Sequence, residues 1–266
     1  MAENQLSRLY QAAKRYVFKD TAYLFLYAWR YFQNNHHNSA AFYTDEEFAA
    51  LVAQGRSMIR IGDGEMGLLH FCKVRYQKYS DAIRNDFLKI IKNYNNDSAC
   101  VIAIPPPVNY SSTRLKKINR WHLYRQFKIS YELIFNKQAT YYDQLAFYKN
   151  GTFEKFIMPY LKTKKVVIVT NRENAAAIKN SPRASEEYQY VICGHENTYE
   201  TRQQIQQDII ATVEKTGLPK NGVVVLMSAG LCKTIIPDMA EQGYQVLDIG
   251  KGLESYYMGV SIENLM

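Results

Sequence analysis

Six short apolar runs, each stopped by glycine, proline or a polar turn, limit what this chain can fold into: Met58–Ile61, Ala99–Ile104, Lys165–Thr170, Tyr188–Cys193, Val223–Met227 and Gln245–Ile249. Each reads as a buried strand. Helical patterns separate them. Thr44 with Glu47 forms a capping box for a helix to Gln54, and Gly55 ends it. Asp81 to Tyr94 puts Ile83, Phe87, Ile90 and Ile91 on one face. Phe153–Tyr160, Thr198–Thr216 and Leu231–Glu241 are further helices, while Tyr76–Tyr79 is short enough to be strand or loop. Strand–helix alternation without a repeat or composition break predicts an α/β, Rossmann-like, doubly wound and mostly parallel sheet. At 266 residues the chain is long enough for one large domain with a full core. The expected division is residues 1–40 as an N-terminal helical extension and 41–266 as the α/β domain.

In such sheets ligands bind at the carboxyl ends of the strands. The first run ends in Gly62-Asp63-Gly64-Glu65-Met66-Gly67. In extended backbone, residues i and i+2 share a face, so Asp63 and Glu65 would converge on one point. Paired carboxylates need a cation, and hard oxygen ligands suit Mg2+ or Mn2+, with waters and substrate phosphates in the remaining positions. The same residues spell G-x-G-x-x-G (Gly62, Gly64, Gly67), with Asp81 further on, which is the context of a dinucleotide-binding loop. Carboxylates facing a pyrophosphate without a metal would repel it, which weighs against a metal-free nicotinamide site. A plainer reading stands beside both: acids at a helix start, where the macrodipole favours them. Asp45 and Glu47 form a second D-x-E, which the capping box explains without a metal.

The segment Arg60-Ile61-Gly62-Asp63-Gly64-Glu65 resembles the R-[FI]-G-D-G-E segment of the GT-D-type glycosyltransferases, formerly a domain of unknown function. Tyr76-Gln77-Lys78-Tyr79 is similar to that family's F-Q-x-Y-D, and Leu226 to Gly250 is similar to its A-L-G-P-x-A … G-Y-Q-A-[IL]-D-I-G-H ending. The likeness spans Ser57 to Tyr257. It implies transfer of a hexose from a nucleotide-diphosphate sugar, a UDP-sugar, to a glycan or glycoprotein hydroxyl, with Mn2+ or Mg2+ on the D-x-E motif. The chain departs from the pattern at three places. Lys251 stands where the family has His, Ala229-Gly230 where it has Gly-Pro, and Thr140-Tyr141 where it has Ser-Arg.

Other strand ends supply further candidates. Arg172 follows the third long run and suits phosphate through its planar fork. Ser228-Ala229-Gly230 turns directly into a helix, where backbone N–H groups reach phosphate. Asp248 and Glu254 are candidate general bases. Lys251 could take over part of a metal's charge, and Arg60, Gly62 and Gly64 would line the phosphates. Asn109, Tyr110, Ser111 and His195 also fall at strand ends, and Arg114, Lys116, Lys117 and Arg120 form a basic cluster that suits an anion or a solvated face.

A net charge of +8 suits anionic ligands or surfaces. We expect no nucleic-acid partner. The scattered Cys72, Cys100, Cys193 and Cys232 read as reduced core residues. No signal peptide or membrane-spanning run is visible, so the expected location is cytoplasmic. Residues 4–34 are basic, aromatic and amphipathic, which suits the inner face of a membrane, a cover for the sheet or a homo-oligomer contact. The adjacent His36 and His37 are not spaced as metal ligands. Besides the transferase reading, two other classes stay open: an NAD-type oxidoreductase using the Gly62-Gly64-Gly67 loop, and a non-catalytic anion-binding module.

Overall fold

The computed structural model describes residues 21–32, 38–71, 73–148 and 151–260. The helical pattern expected over residues 4–20, the linker with His36 and His37, and Cys72 lie outside the described residues. Two compact units emerge. One takes the described parts of Met1–Ala41 with Ile61–Asn95 and Ile104–Thr140; the other takes Phe42–Arg60, Asn96–Ala103 and the described parts of Tyr141–Met266. The first unit gathers the two segments that leave the ends of the strands Ser57–Arg60 and Cys100–Ile104.

The chain forms one sheet of eight strands: β1 (Ala41–Phe42), β2 (Ser57–Arg60), β3 (Cys100–Ile104), β4 (Thr140–Asp143), β5 (Lys165–Asn171), β6 (Gln189–Cys193), β7 (Val223–Met227) and β8 (Gln245–Asp248). Their order is β1-β4-β3-β2-β8-β7-β5-β6. Every pairing with a described register is parallel, with Met58 opposite both Val101 and Leu247, and Ile168 between Tyr190 and Leu226. The expected α/β doubly wound fold is what the chain adopts. All six apolar runs form strands. The short strands β1 and β4 carry no aliphatic run, so no such pattern marks them. In β4 the buried residues are Tyr141 and Tyr142.

The sheet's core is aliphatic where strands are buried on both faces, as parallel sheets require. Val224, Leu226, Ile168, Met58 and Leu247 are all essentially inaccessible. Helices of the second unit are α2 (Asp45–Ala53), α7 (Met158–Leu161), α8 (Arg172–Lys179), α9 (Arg202–Lys215), α10 (Ile236–Glu241) and α11 (Gly252–Met258). The Thr44/Glu47 capping box is present, and Gly55 takes a φ of +90° past the helix end. The stretch expected as a helix from Leu231 instead begins as a 3-10 turn, Gly230–Ile235, before α10. Phe153–Ile157 is a π turn leading into α7, with Pro159 in the first turn of that helix.

Polar groups buried at the amino ends of β2 and β8 are paired, as burial demands. The hydroxyl of Ser57 accepts from Val246 N–H at 2.9 Å and donates to Tyr244 O at 3.2 Å. The Gln245 amide donates to Val52 O and Arg56 O, and its carbonyl accepts from Tyr160 Oη at 2.8 Å. This end of the sheet is closed by structure rather than open for chemistry.

The first unit holds α1 (Thr21–Phe32), α3 (Asp63–Leu69), α4 (Asp81–Asn93), α5 (Ser112–Lys117) and α6 (Trp121–Ile134). The helix α6 packs against all the others, burying Phe127, Ile129 and Tyr131. Its Lys128 is fully buried and donates to Val108 O at 2.8 Å and Tyr110 O at 2.7 Å. The stretch Tyr76–Tyr79 is a turn, with Gln77 bridging antiparallel to Val74.

Truncating Ile168→Ala, at a position with no solvent exposure on β5, opens a cavity on the sheet face that it shares with Val166, Val224 and Leu226. Urea unfolding should show a loss of about 2–5 kcal/mol, the range for large-to-small changes at packed sites.

Candidate functional site

The order of strands places a topological switch between β2 and β8. Strands from the amino-terminal half of the chain lie on one side and those from the carboxyl-terminal half on the other. That is where an open α/β sheet binds ligands, beyond the carboxyl ends. Arg60 is the last residue of β2 and Asp248 the last of β8.

They meet in a buried charge cluster. The Arg60 guanidinium donates to Asp248 Oδ1 at 3.1 Å, and the Arg60 backbone N–H donates to Oδ2 at 3.1 Å. Lys233 Nζ lies 3.3 Å from Asp248 Oδ2 and donates to Arg60 O at 2.7 Å. The guanidinium also donates to the Tyr148 hydroxyl, while its Nε is buried without a hydrogen-bond partner. Asp248 and Lys233 are almost inaccessible. Burial alone would raise the Asp248 pKa, but Arg60 and then Lys233 outweigh it and hold the carboxyl below its usual range. Burial would lower the Arg60 pKa, but Asp248 and Tyr148 reverse that and raise it. The three charges sum to one net positive.

Gly250 keeps this arrangement open. Its φ is +51°, and a Cβ there would lie 1.6 Å from Arg60 Nη2. Only glycine allows the guanidinium to pass so close while Asp248 pins it.

The role expected for Asp248 as a general base does not suit this geometry. Both of its oxygens are committed to cations, and a lowered pKa makes it a weak proton acceptor. Glu254, the other candidate base, is partly exposed on α11 and accepts from Asn174 Nδ2 at 3.1 Å. Arg172 is exposed at the first position of α8, at the carboxyl end of β5, and Lys251 is exposed at the start of α11.

The turn Ser228–Gly230 is less free than expected. Thr198 Oγ1 accepts from Leu231 N–H at 3.1 Å and Cys232 N–H at 3.3 Å, and donates to Ala229 O at 2.9 Å. Two amides that a phosphate would use are already occupied. His195 lies at the surface, 3.5 Å from Glu173. Cys100, Cys193 and Cys232 are free and buried, with burial pushing the Cys193 thiol up to about 11, so all three fit reduced core residues.

In the first unit the acidic loop departs from the extended geometry assumed for it. The backbone turns helical at once, and α3 begins at Asp63 itself. Residues i and i+2 then point about 200° apart rather than to one face. Asp63 is exposed, whereas Glu65 is buried and turned back, its Oε2 accepting from Gly62 N–H at 2.7 Å. That bond fills the amide a dinucleotide loop would turn toward pyrophosphate. Gly64 sits close under Tyr76, since a Cβ there would lie 3.0 Å from the tyrosine hydroxyl. Among the described residues no group of three or more His, Cys, Asp or Glu is assembled as a metal cage. An exposed carboxylate beside a glycine hinge fits the open type of Mg2+ or Mn2+ site, in which one or two protein carboxylates share the ion with waters and phosphates.

Sequence reasoning missed Lys233, Tyr148 and Thr198. Lys233 left a signal: it is a lone cation inside the apolar stretch Leu231–Ile236, where a buried lysine needs a carboxylate. Tyr148 and Thr198 left none.

The fold is a doubly wound α/β sheet with a buried charge cluster at its switch point. Comparison with known proteins narrows the class. The family described as glycosyltransferase GT-D fold matches residues 58–262, and the chain belongs to that family. It is 21% identical over 232 residues to the probable glycosyl transferase Gly of Streptococcus gordonii. That match covers 82% of this chain but 33% of the relative, so the chain spans about a third of its length. Among solved structures, a new glycosyltransferase (DUF1792) from Streptococcus sanguinis superposes with a TM-score of 0.65 at 19% identity, covering 84% of this chain and 87% of that one. A selenomethionine-substituted structure of the domain of unknown function 1792 gives 0.66 at 16% identity, covering 89% and 86%. These two likenesses concern the fold.

Replacing Asp248 by Asn leaves Arg60 and Lys233 buried against a neutral group, a change expected to cost on the order of 3–5 kcal/mol. Because the native pKa of Asp248 is depressed, its stabilisation is present above the unfolded value near 3.9 and is lost as pH falls through the folded value. Urea midpoints should therefore drop below about pH 4 by more in the wild type than in Asp248→Asn.

Proposed function

We propose that this chain is a glycosyltransferase that moves a hexose from a nucleotide-diphosphate sugar, a UDP-sugar, to a hydroxyl of a glycan or glycoprotein. Membership of the GT-D family supports transferase activity. The observation that carries the donor reading is the net positive, buried Arg60–Asp248–Lys233 cluster at the switch point. A rigid guanidinium there suits an anionic diphosphate and stays protonated throughout turnover.

On this reading each candidate residue has its own task. Arg60, held by Asp248 and Lys233, meets the diphosphate. Arg172 and Lys251, exposed at helix starts, add positive charge. Asp63 supplies the carboxylate for Mg2+ or Mn2+, and Glu65 fixes Gly62 so that Asp63 keeps its direction. A bound ion would contribute neutralisation of the charge that develops on the leaving diphosphate. Glu254, oriented by Asn174, takes the proton from the acceptor hydroxyl in an inverting transfer. The acceptor oxygen then bonds to the anomeric carbon as the bond from that carbon to the diphosphate oxygen breaks.

The test is a thermal-shift panel of nucleotide sugars and NAD(H), with and without Mn2+, read together with sugar release. The wild type should gain stability that rises with donor concentration, about 2.7 kcal/mol at a hundred times Kd. Asp63→Asn should lose the Mn2+-dependent part of that gain. Gly250→Ala should lose donor stabilisation through displacement of the Arg60 guanidinium. Stabilisation by NAD(H) without metal, and none by any nucleotide sugar, would overturn the reading.

A further inference from the structure

The helix α1 faces two ways. Tyr27 is buried and stacks on His70 with ring centroids 4.4 Å apart, and Tyr31 lies under the Arg125 guanidinium at 3.7 Å. The opposite side carries Phe25 (71% exposed), Trp29 (59%) and Phe32 (75%), with Leu26 (48%) beside them. Positions 25, 29 and 32 fall within one narrow stripe of a helix. A helix apolar on both sides is normally covered on both. No helix among the described residues is long and apolar enough to cross a membrane.

The same unit also carries exposed charge, reached from the packed side of α1. Arg125 sits between Tyr31 and Trp121, 5.3 Å from the latter, and Lys116 stands over the other part of that contact, 5.7 Å from Trp121. This chain of rings and cations joins the end of α1 to α5, where Arg114, Lys116, Lys117 and Arg120 are exposed together with Ile118. Residues 21–32 and 110–131 contain no Asp or Glu, and the next residue of α6, Glu132, is paired with Arg30 of α1 at 3.6 Å. An exposed aromatic stripe and a strongly basic patch on one unit match an anionic lipid interface: rings enter the headgroup region and lysines and arginines meet the phosphates.

We propose that α1 and the α5 basic patch dock this chain, lying flat, on an anionic phospholipid surface. The site is independent of the transfer reaction. Exposed aromatics of this kind act through buried apolar area, and each basic residue adds roughly a fivefold factor in binding to an anionic surface.

The experiment uses the full chain with vesicles of phosphatidylcholine alone or mixed with phosphatidylglycerol, read by co-sedimentation. Binding should be at least about tenfold tighter on the anionic vesicles and should weaken in high salt. Lys116→Glu/Lys117→Glu/Arg120→Glu should reduce it by about a hundredfold or more. Phe25→Ser/Trp29→Ser/Phe32→Ser should abolish it without lowering the unfolding midpoint, because these side chains are exposed. In a Trp121→Phe background, Trp29 emission should shift to the blue on anionic vesicles alone. The proposal falls if neither vesicle binds, or if both bind equally. It also falls if Trp29 is shielded from iodide without lipid, which means the chain covers its own stripe. A dimer in light scattering that the serine triple variant dissolves would overturn it in favour of a second copy.

Discussion

The carboxylate of Asp248 is the group on which the centre of this structure depends. It is the single anion in a buried cluster of two cations, and it touches three donors on two different elements. Moving such charges out of water costs several kcal/mol each, and only close opposite charge and filled hydrogen bonds offset that cost. Asp248 closes the end of β8 onto β2 through the Arg60 amide. Lys233 does the same from the turn after β7, by donating to the Arg60 carbonyl. Three strand ends are thus locked at the place where the sheet changes direction. The two cations and the carboxylate hold one another in place there, and none of the three is left in water.

The positions of the strands are legible in the sequence because each long run is aliphatic and bounded by residues that stop a ladder. The same logic misses β1 and β4, where tyrosines or a two-residue strand replace the aliphatic run. The helix starting at Thr44 is legible down to its capping box, since that signal is local. The acidic loop is legible as a strand-to-helix turn, but its side-chain geometry is not. The same-face argument holds only while the backbone stays extended, and here the helix begins at Asp63. The bland reading, acids at a helix start, describes Glu65 as it stands: buried, and spent on the Gly62 amide. Asp63 retains the exposure a ligand needs.

The Ser228–Gly230 turn carries a related lesson. Its small residues would serve a phosphate cradle and a tight turn equally well, and composition cannot separate the two. Thr198 braces the turn: thirty-odd residues distant in sequence, it places one hydroxyl against the Leu231 and Cys232 amides and the Ala229 carbonyl. Long-range hydrogen bonds of this kind leave no periodic trace. Lys233 shows the opposite case, in which a single charge inside an apolar stretch is itself the mark of a carboxylate partner elsewhere in the chain.

The assignment of a base follows from the same electrostatics. A proton acceptor in a transfer from a hydroxyl must be able to hold the proton it receives, and efficiency rises as its pKa approaches the working pH. Arg60 and Lys233 move Asp248 the other way, and they would be left as uncompensated buried cations if it were protonated. Glu254 has one neutral partner, Asn174, and partial access to solvent. It takes no part in the lock between β2 and β8. The fold therefore separates two carboxylates only six residues apart in sequence: one is enclosed by two cations so that an arginine keeps its place, and the other stands outside that cluster with an amide for its partner.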